Sequence, residues 1–234
     1  DADMDQTVDA AMGAAYGSAG ERCMAISVAV TIGQETGDEL VRRLAPKVQA
    51  LKVGSYTDAA SEMGPIVTRE SLDRILGYID EGIAAGAELV VDGRDISLQG
   101  YEDGFFLGGC LFDRVSTDMS IYTDEIFGPV LSVFRASDLQ DAVRISNDVD
   151  FGLSSSVYTR DLVQAHEYIN TAETGMVHVN APTLGGEVHL PFGGLGASGT
   201  GQREQGTEGF DFFTETISVY IDHSAGAKER SRFI

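Results

Sequence analysis

Cysteine, lysine and long apolar runs are all scarce in this sequence, and each shortage excludes something. Two cysteines, Cys23 and Cys110, are too few for a disulfide scaffold. No apolar run approaches the ~20 residues that span a bilayer, so no membrane partner is expected. The opening residues Asp1 to Asp5 carry neither a basic n-region nor an apolar h-region, so they do not read as a signal peptide. A reducing, cytoplasmic setting is the default expectation. The sequence also begins without an initiator methionine, as a processed product or a piece of something longer would.

Positive charge is the next shortage. There are 16 basic residues against 37 acidic ones, a formal net charge of −21. That excludes a nucleic-acid binder working through a basic footprint and argues against docking on an anionic membrane. Lysine occurs three times (Lys47, Lys52, Lys228) against 13 arginines. Such a balance suits a protein kept soluble in high salt, and equally an ordinary acidic protein from a GC-rich genome; it speaks to solubility rather than fold. The histidines are His166, His178, His189 and His223. None stands at ligand spacing from another histidine or cysteine, so no metal site is expected.

What is present is the mixture of a folded globular protein: 43% apolar and 23% charged residues. A chain of 234 residues suggests one domain or two small ones and should bury roughly 70% of its unfolded surface. Small apolar residues at helical spacing predict a helix over 5–15, stopped by Gly17 and Gly20. The run 26–32 reads as a buried strand. A helix over 38–51 carries Leu40, Leu44, Val48 and Leu51, and Pro46 should kink or split it. Thr68 can cap a helix with the stripe Leu72, Ile75, Leu76, Ile79 and Ile83, ended by Gly86. Strands follow at 89–91, 130–134, 153–158 and 176–179, with helices capped by Asp138 and Asp161 between them; 105–112 is broken by glycines and stays open. A glycine-rich loop covers 185–206. A final segment, 216–222, alternates Ile217, Val219 and Ile221 with polar residues, as at the edge of an assembly. Strands alternating with helices predict an α/β fold with a mostly parallel sheet and flanking helices.

Four features could carry chemistry. Cys23 lies just past a helix end in Gly20-Glu21-Arg22-Cys23-Met24-Ala25. A neighbouring guanidinium and free backbone N–H groups favour thiolate, which attacks carbonyl carbon; the plainer reading is a small buried hydrophobe. Cys110, in Gly109-Cys110-Leu111-Phe112, reads as core. Glu125, with Phe127 in Asp124-Glu125-Ile126-Phe127-Gly128-Pro129, could hold a polyhydroxylated ligand such as a ribose, or be an ordinary loop charge. The stretch Gly194 to Gly199 matches G-x-G-x-x-G, but Pro191-Phe192-Gly193 precedes it in place of a strand. A tight active-site or packing turn is the better reading than a dinucleotide fingerprint.

Taken in order, these segments resemble the aldehyde dehydrogenase superfamily. The resemblance is carried by Gly17 to Ala25, by Glu125-Ile126-Phe127-Gly128-Pro129-Val130, by Gly175-Met176-Val177-His178-Val179-Asn180, and by Pro191-Phe192-Gly193-Gly194. It continues through Gly201-Gln202-Arg203-Glu204-Gln205-Gly206 and Thr214-Glu215-Thr216. It implies a catalytic domain over 1–210, an oligomerisation strand segment over 211–224 and a C-terminal tail over 225–234. It also implies that Cys23 is the nucleophile, that Glu125 holds the nicotinamide ribose of NAD or NADP, and that Phe127 packs near the nicotinamide. Glu204 would be an acid near the site, a proton relay in some members. The oxyanion would be held partly by the Cys23 N–H.

The first 150 or so residues are most similar to the methylmalonate-semialdehyde branch, which makes acyl-CoA. In that branch the arginine before the nucleophile, here Arg22, helps hold a substrate carboxylate. The stretch Asn180 to Pro191 instead resembles other semialdehyde and general aldehyde dehydrogenases, so water and coenzyme A both stay open as acyl acceptor. Members of the superfamily are about twice this length, and the half bearing the nucleotide-binding domain and oxyanion asparagine has no counterpart here. The expectation is a C-terminal part of an NAD(P)-dependent enzyme for a small semialdehyde, in a homo-oligomer or with a partner N-terminal half. The alternatives are an inactive or oligomerising fragment, or a residual Cys23 thioesterase or esterase.

Overall fold

The computed structural model describes residues 1–223. Its centre is a four-stranded sheet built from β1 (Val28–Ile32), β2 (Glu88–Val91), β3 (Cys110–Asp113) and β4 (Val130–Ala136), in the order β1-β4-β3-β2. β1 and β3 both run parallel to β4, with Val28 opposite Ser132 and Cys110 opposite Val130. β2 closes the far side antiparallel to β3, with a register shift between Leu89 and Val91.

The central strands read as continuous apolar runs because both their faces are covered. Cys110, Leu111, Phe112, Leu131 and Val133 are fully buried. The covering helices are α1 (Met4–Tyr16), α2 (Gln34–Gln49), α3 (Arg69–Ala84) and α5 (Leu139–Asn147). α1 contributes a stripe of small residues, Val8, Ala11 and Ala15, and the buried Tyr16, whose hydroxyl donates to the Cys110 carbonyl at 3.1 Å. α2 presents Leu40, Leu44 and Val48, and α3 presents Leu72, Ile75 and Ile79. The expected caps form: Thr68 accepts from the Ser71 N–H, and Asp138 from the Asp141 N–H.

A second group of elements follows. β6 (Ser154–Val157) and β7 (Met176–Val179) pair in parallel, and α6 (Leu162–Thr171), capped by Asp161, connects them. β5 (Phe151–Gly152) pairs antiparallel with β8 (Leu195–Gly196) inside the glycine-rich loop. Two short helices, α4 (Ser120–Thr123) and α7 (Glu208–Phe213), complete the described chain. The fold is therefore α/β with a mostly parallel sheet, as expected.

Several local expectations need correction. Pro46 does not split α2, which runs unbroken to Gln49; it sits in the last turn, where losing one N–H leaves the rest of the ladder intact. β1 starts at Val28 and is half-buried, with Ile32 40% exposed, because it is the sheet's edge. Ile83 lies at the end of the α3 stripe and is exposed. The segment 216–222, expected at the edge of an assembly, pairs with no strand among the described residues, and Ile217, Val219 and Ile221 are all exposed. α7 was not anticipated: its phenylalanines are exposed and give no amphipathic stripe. The expected tail over 225–234 lies outside the described residues.

Candidate active site

The turn before Cys23 is held in an unfavourable backbone conformation. Ser18 and Ala19 have φ of 55° and 56°, and Gly20 follows at 67°. Left-handed geometry costs an L-residue roughly 1–2 kcal/mol, so surrounding contacts must hold it. The Glu21 N–H donates to the Ser18 carbonyl at 3.0 Å, and Arg22 Nη2 donates to Ser18 Oγ at 2.6 Å. A tighter constraint is steric. A Cβ on Gly20 would stand 2.1 Å from the Gly128 carbonyl oxygen, so only glycine lets these two backbones meet.

That meeting unites the two segments singled out in the sequence. Arg22, Cys23, Glu125 and Phe127 line one pocket, together with Gly20, Ala25, Ser27 and Gly128. Cys23 is exposed within it. Phe127 has φ of 53°, which turns the chain sharply between Ile126 and Gly128. The Glu125 carboxylate makes no hydrogen bond or ion pair among the described residues. Arg22 likewise forms no ion pair among them; its one partner is Ser18. The pocket therefore offers a thiol, a carboxylate and a guanidinium that are not committed to one another. Its cavity is about 20 Å³, room for about one water.

The residue after Cys23 is tied to the segment that precedes the glycine-rich loop. Thr183 Oγ1 donates to the Met24 carbonyl at 2.6 Å, and the Ala25 N–H closes a turn onto the Arg22 carbonyl. Glu204 is not brought to the pocket lining. It is exposed, and its backbone pairs with Phe192 in an isolated antiparallel bridge. Cys110 is fully buried, and burial pushes its thiol up to about 11. The Gly194–Gly199 stretch is a packing turn: a Cβ on Gly199 would stand 2.2 Å from the Gly194 carbonyl oxygen. The helix that a dinucleotide fingerprint needs does not follow it directly, since α7 begins only at Glu208. No group of three or more metal-ligating side chains occurs among the described residues, and none of their helices is long and apolar enough to cross a membrane.

Sequence reasoning missed Gly20, Gly128 and Thr183 as site-building residues. The first two could have been read from glycine flanking both motifs. Thr183 gives no local signal, because it acts on a residue 159 positions away.

The scaffold is thus a thiol-bearing α/β domain that sets an exposed cysteine beside an acid-aromatic loop. The chain belongs to the aldehyde dehydrogenase family, whose sequence pattern matches residues 1–219. It is 48% identical over 220 residues to the malonate-semialdehyde dehydrogenase of Pseudomonas aeruginosa, covering 94% of this chain and 44% of that protein. A Sinorhizobium meliloti chain solved with NAD is 49% identical at a TM-score of 0.89, with 92% of this chain and 44% of that one covered. The methylmalonate-semialdehyde dehydrogenase of Oceanimonas doudoroffii is 40% identical at the same TM-score of 0.89, with the same shares covered. The chain thus spans less than half the length of the relatives it matches.

Proposed function

We propose that this chain is the cysteine-bearing part of an NAD(P)-dependent aldehyde dehydrogenase acting on a small carboxylated semialdehyde. The observation that carries the reading is the single pocket shared by Arg22, Cys23, Glu125 and Phe127. The Cys23 sulfur, as thiolate, bonds to the aldehyde carbon, and the carbonyl oxygen takes up the electron pair as an oxyanion. The Cys23 N–H is the donor proposed to stabilise that oxyanion. Arg22, free of other carboxylates, suits the far carboxylate of a malonate-type semialdehyde.

The pocket residues fit a nicotinamide riboside: the uncommitted Glu125 carboxylate can accept from ribose hydroxyls, and Phe127 offers an aromatic wall. A bound nicotinamide would supply the hydride acceptor, and loss of hydride from the substrate carbon would leave the acyl group as a thioester on Cys23. The acyl group then passes to water or to coenzyme A, and the Cys23 thiolate is regenerated. Glu204, outside the pocket lining, would act only as a relay through solvent.

The 44% coverage of the relatives favours a chain that does not turn over alone. A second half would close the site, and the exposed segment 216–222 fits a role in oligomerisation. The test measures NAD(P)H formation with malonate semialdehyde, methylmalonate semialdehyde and propanal, with and without coenzyme A. It is run on this chain alone and combined with the N-terminal half of a relative. Turnover is expected only in the combination, and is expected to vanish in Cys23→Ala. Arg22→Ala should lose the carboxylated substrates selectively; equal losses on propanal would remove the carboxylate assignment. Ester cleavage by the chain alone, dependent on Cys23 and indifferent to NAD, would replace the reading with a thiol esterase.

A further inference from the structure

Both loops of the pocket rest on one element, α3 and the residue pair that leads into it. The Cys23 loop is anchored by Glu21, whose Oε2 accepts from the Val67 N–H at 2.9 Å, immediately before the Thr68 cap. The Glu125 loop is anchored about two turns further along. Arg74 Nη1 donates to the Ile126 carbonyl at 2.5 Å and to the Glu125 carbonyl at 3.2 Å. Tyr78, one turn on again, donates to Asp124 Oδ2 at 3.1 Å. Between them Ile75, fully buried, lies under Gly128, where an added Cβ would come within 2.6 Å of its Cδ1.

Residues 74 and 78 are neighbours on a helix face, so α3 grips three consecutive residues of the loop with side chains one turn apart. Arg74 is placed to do more than the others. Its guanidinium also acts electrostatically on Glu21, so one cation faces both loops. It forms no ion pair among the described residues and is exposed; its direct hydrogen bonds are to the two carbonyls. Holding a carbonyl pair with a charged donor is a strong way to fix a turn that contains a left-handed phenylalanine.

We propose that Arg74 is a positioning residue that fixes the 124–128 loop, and with it Glu125 and Phe127, against the Cys23 loop. The proposal rests on the dehydrogenase reading for its purpose, but its geometry is a property of this chain alone.

The experiment compares backbone ¹⁵N order parameters of this chain with those of Arg74→Gln and Arg74→Lys. Order at Ile126, Phe127 and Gly128 should fall from about 0.85 to below about 0.7 in Arg74→Gln, while β4 and α3 keep theirs. Arg74→Lys, which retains a charged donor without the fork, should recover most of the loss. Unchanged order at 126–128 in Arg74→Gln would overturn the proposal. So would a loss of order spread over α3 and β4, which would make the residue merely structural, or a Lys variant as loose as Gln. Aldehyde chemistry plays no part in this measurement. Its failure therefore leaves the Cys23 reading standing, and failure of the turnover test leaves the Arg74 result interpretable.

Discussion

Single residues decide whether the site exists at all. Gly20 combines a left-handed φ of 67° with a 2.1 Å approach to the Gly128 oxygen. Gly20→Ala is therefore expected to lower stability by about 1–3 kcal/mol and to push the Cys23 and Glu125 loops apart. Urea unfolding measures the loss; an unchanged midpoint would mean that the loops part freely. The two cysteines should behave as opposites. With Cys23 exposed and Cys110 buried, its thiol raised to about 11, one thiol should react with a disulfide reagent in native protein at pH 8. Both should react after unfolding. A second native thiol reacting at the same rate would contradict the burial of Cys110.

Glu21 gives the pH dependence. Burial raises its carboxyl above the ordinary carboxylate value, and its Oε1 is buried without a hydrogen-bond partner. A group raised in this way favours folding while protonated. That contribution is lost as pH rises through its folded value. Glu21→Gln stays neutral, so its stability relative to the parent should improve from acid toward pH 7. Urea midpoints at pH 4 and pH 7 check this; a difference that stays constant with pH would remove the burial argument.

Among elements, β4 and β3 are joined by a buried ion pair that also reaches the exposed Asp38 of α2. Arg135 reaches both Asp113 and Asp38, and the Arg135 and Asp113 side chains are 6% and 7% exposed. Removing one partner from such a pair typically costs about 3–5 kcal/mol, because the other charge stays buried. Arg135→Met is expected to lose that much in urea unfolding, with Asp113→Asn in the same background restoring part of it. A loss below about 1 kcal/mol would mean that water reaches Asp113 easily. Periodicity made α3, α5, α6 and β4 legible, since their buried stripes repeat at helical or continuous-strand spacing; β3 stayed open because Gly108 and Gly109 break the run before it. It failed at Pro46 and at β1, where position within the helix and within the sheet outweighed local preference. It failed again at α7, whose apolar side chains face solvent in this chain.

At the scale of the whole molecule, charge dominates. A net charge of −21 repels itself, and exposed ion pairs such as Arg144 with Asp141 return little. Raising NaCl from about 0.1 to 1 M should therefore raise the thermal midpoint by several degrees, as screening relieves the repulsion. A falling midpoint would show that the ion pairs outweigh the repulsion. Phe210, Phe213, Ile217, Val219, Tyr220 and Ile221 are all exposed on the described surface, and the proposed oligomerisation would cover them.

The sequence by itself determined the α/β class, the helix caps, the placement of Cys110 in the core and the two motifs around Cys23 and Glu125. These are local matters of period, capping chemistry and neighbouring residues. Only the tertiary structure decided that the two motifs share a pocket while Glu204 stays outside its lining, and that Thr183 and Arg74 hold the loops. Those facts depend on backbones more than a hundred positions apart meeting at Gly20 and Gly128. A one-dimensional pattern cannot specify such a contact, because it is set by how α3 seats the loop that leads into β4.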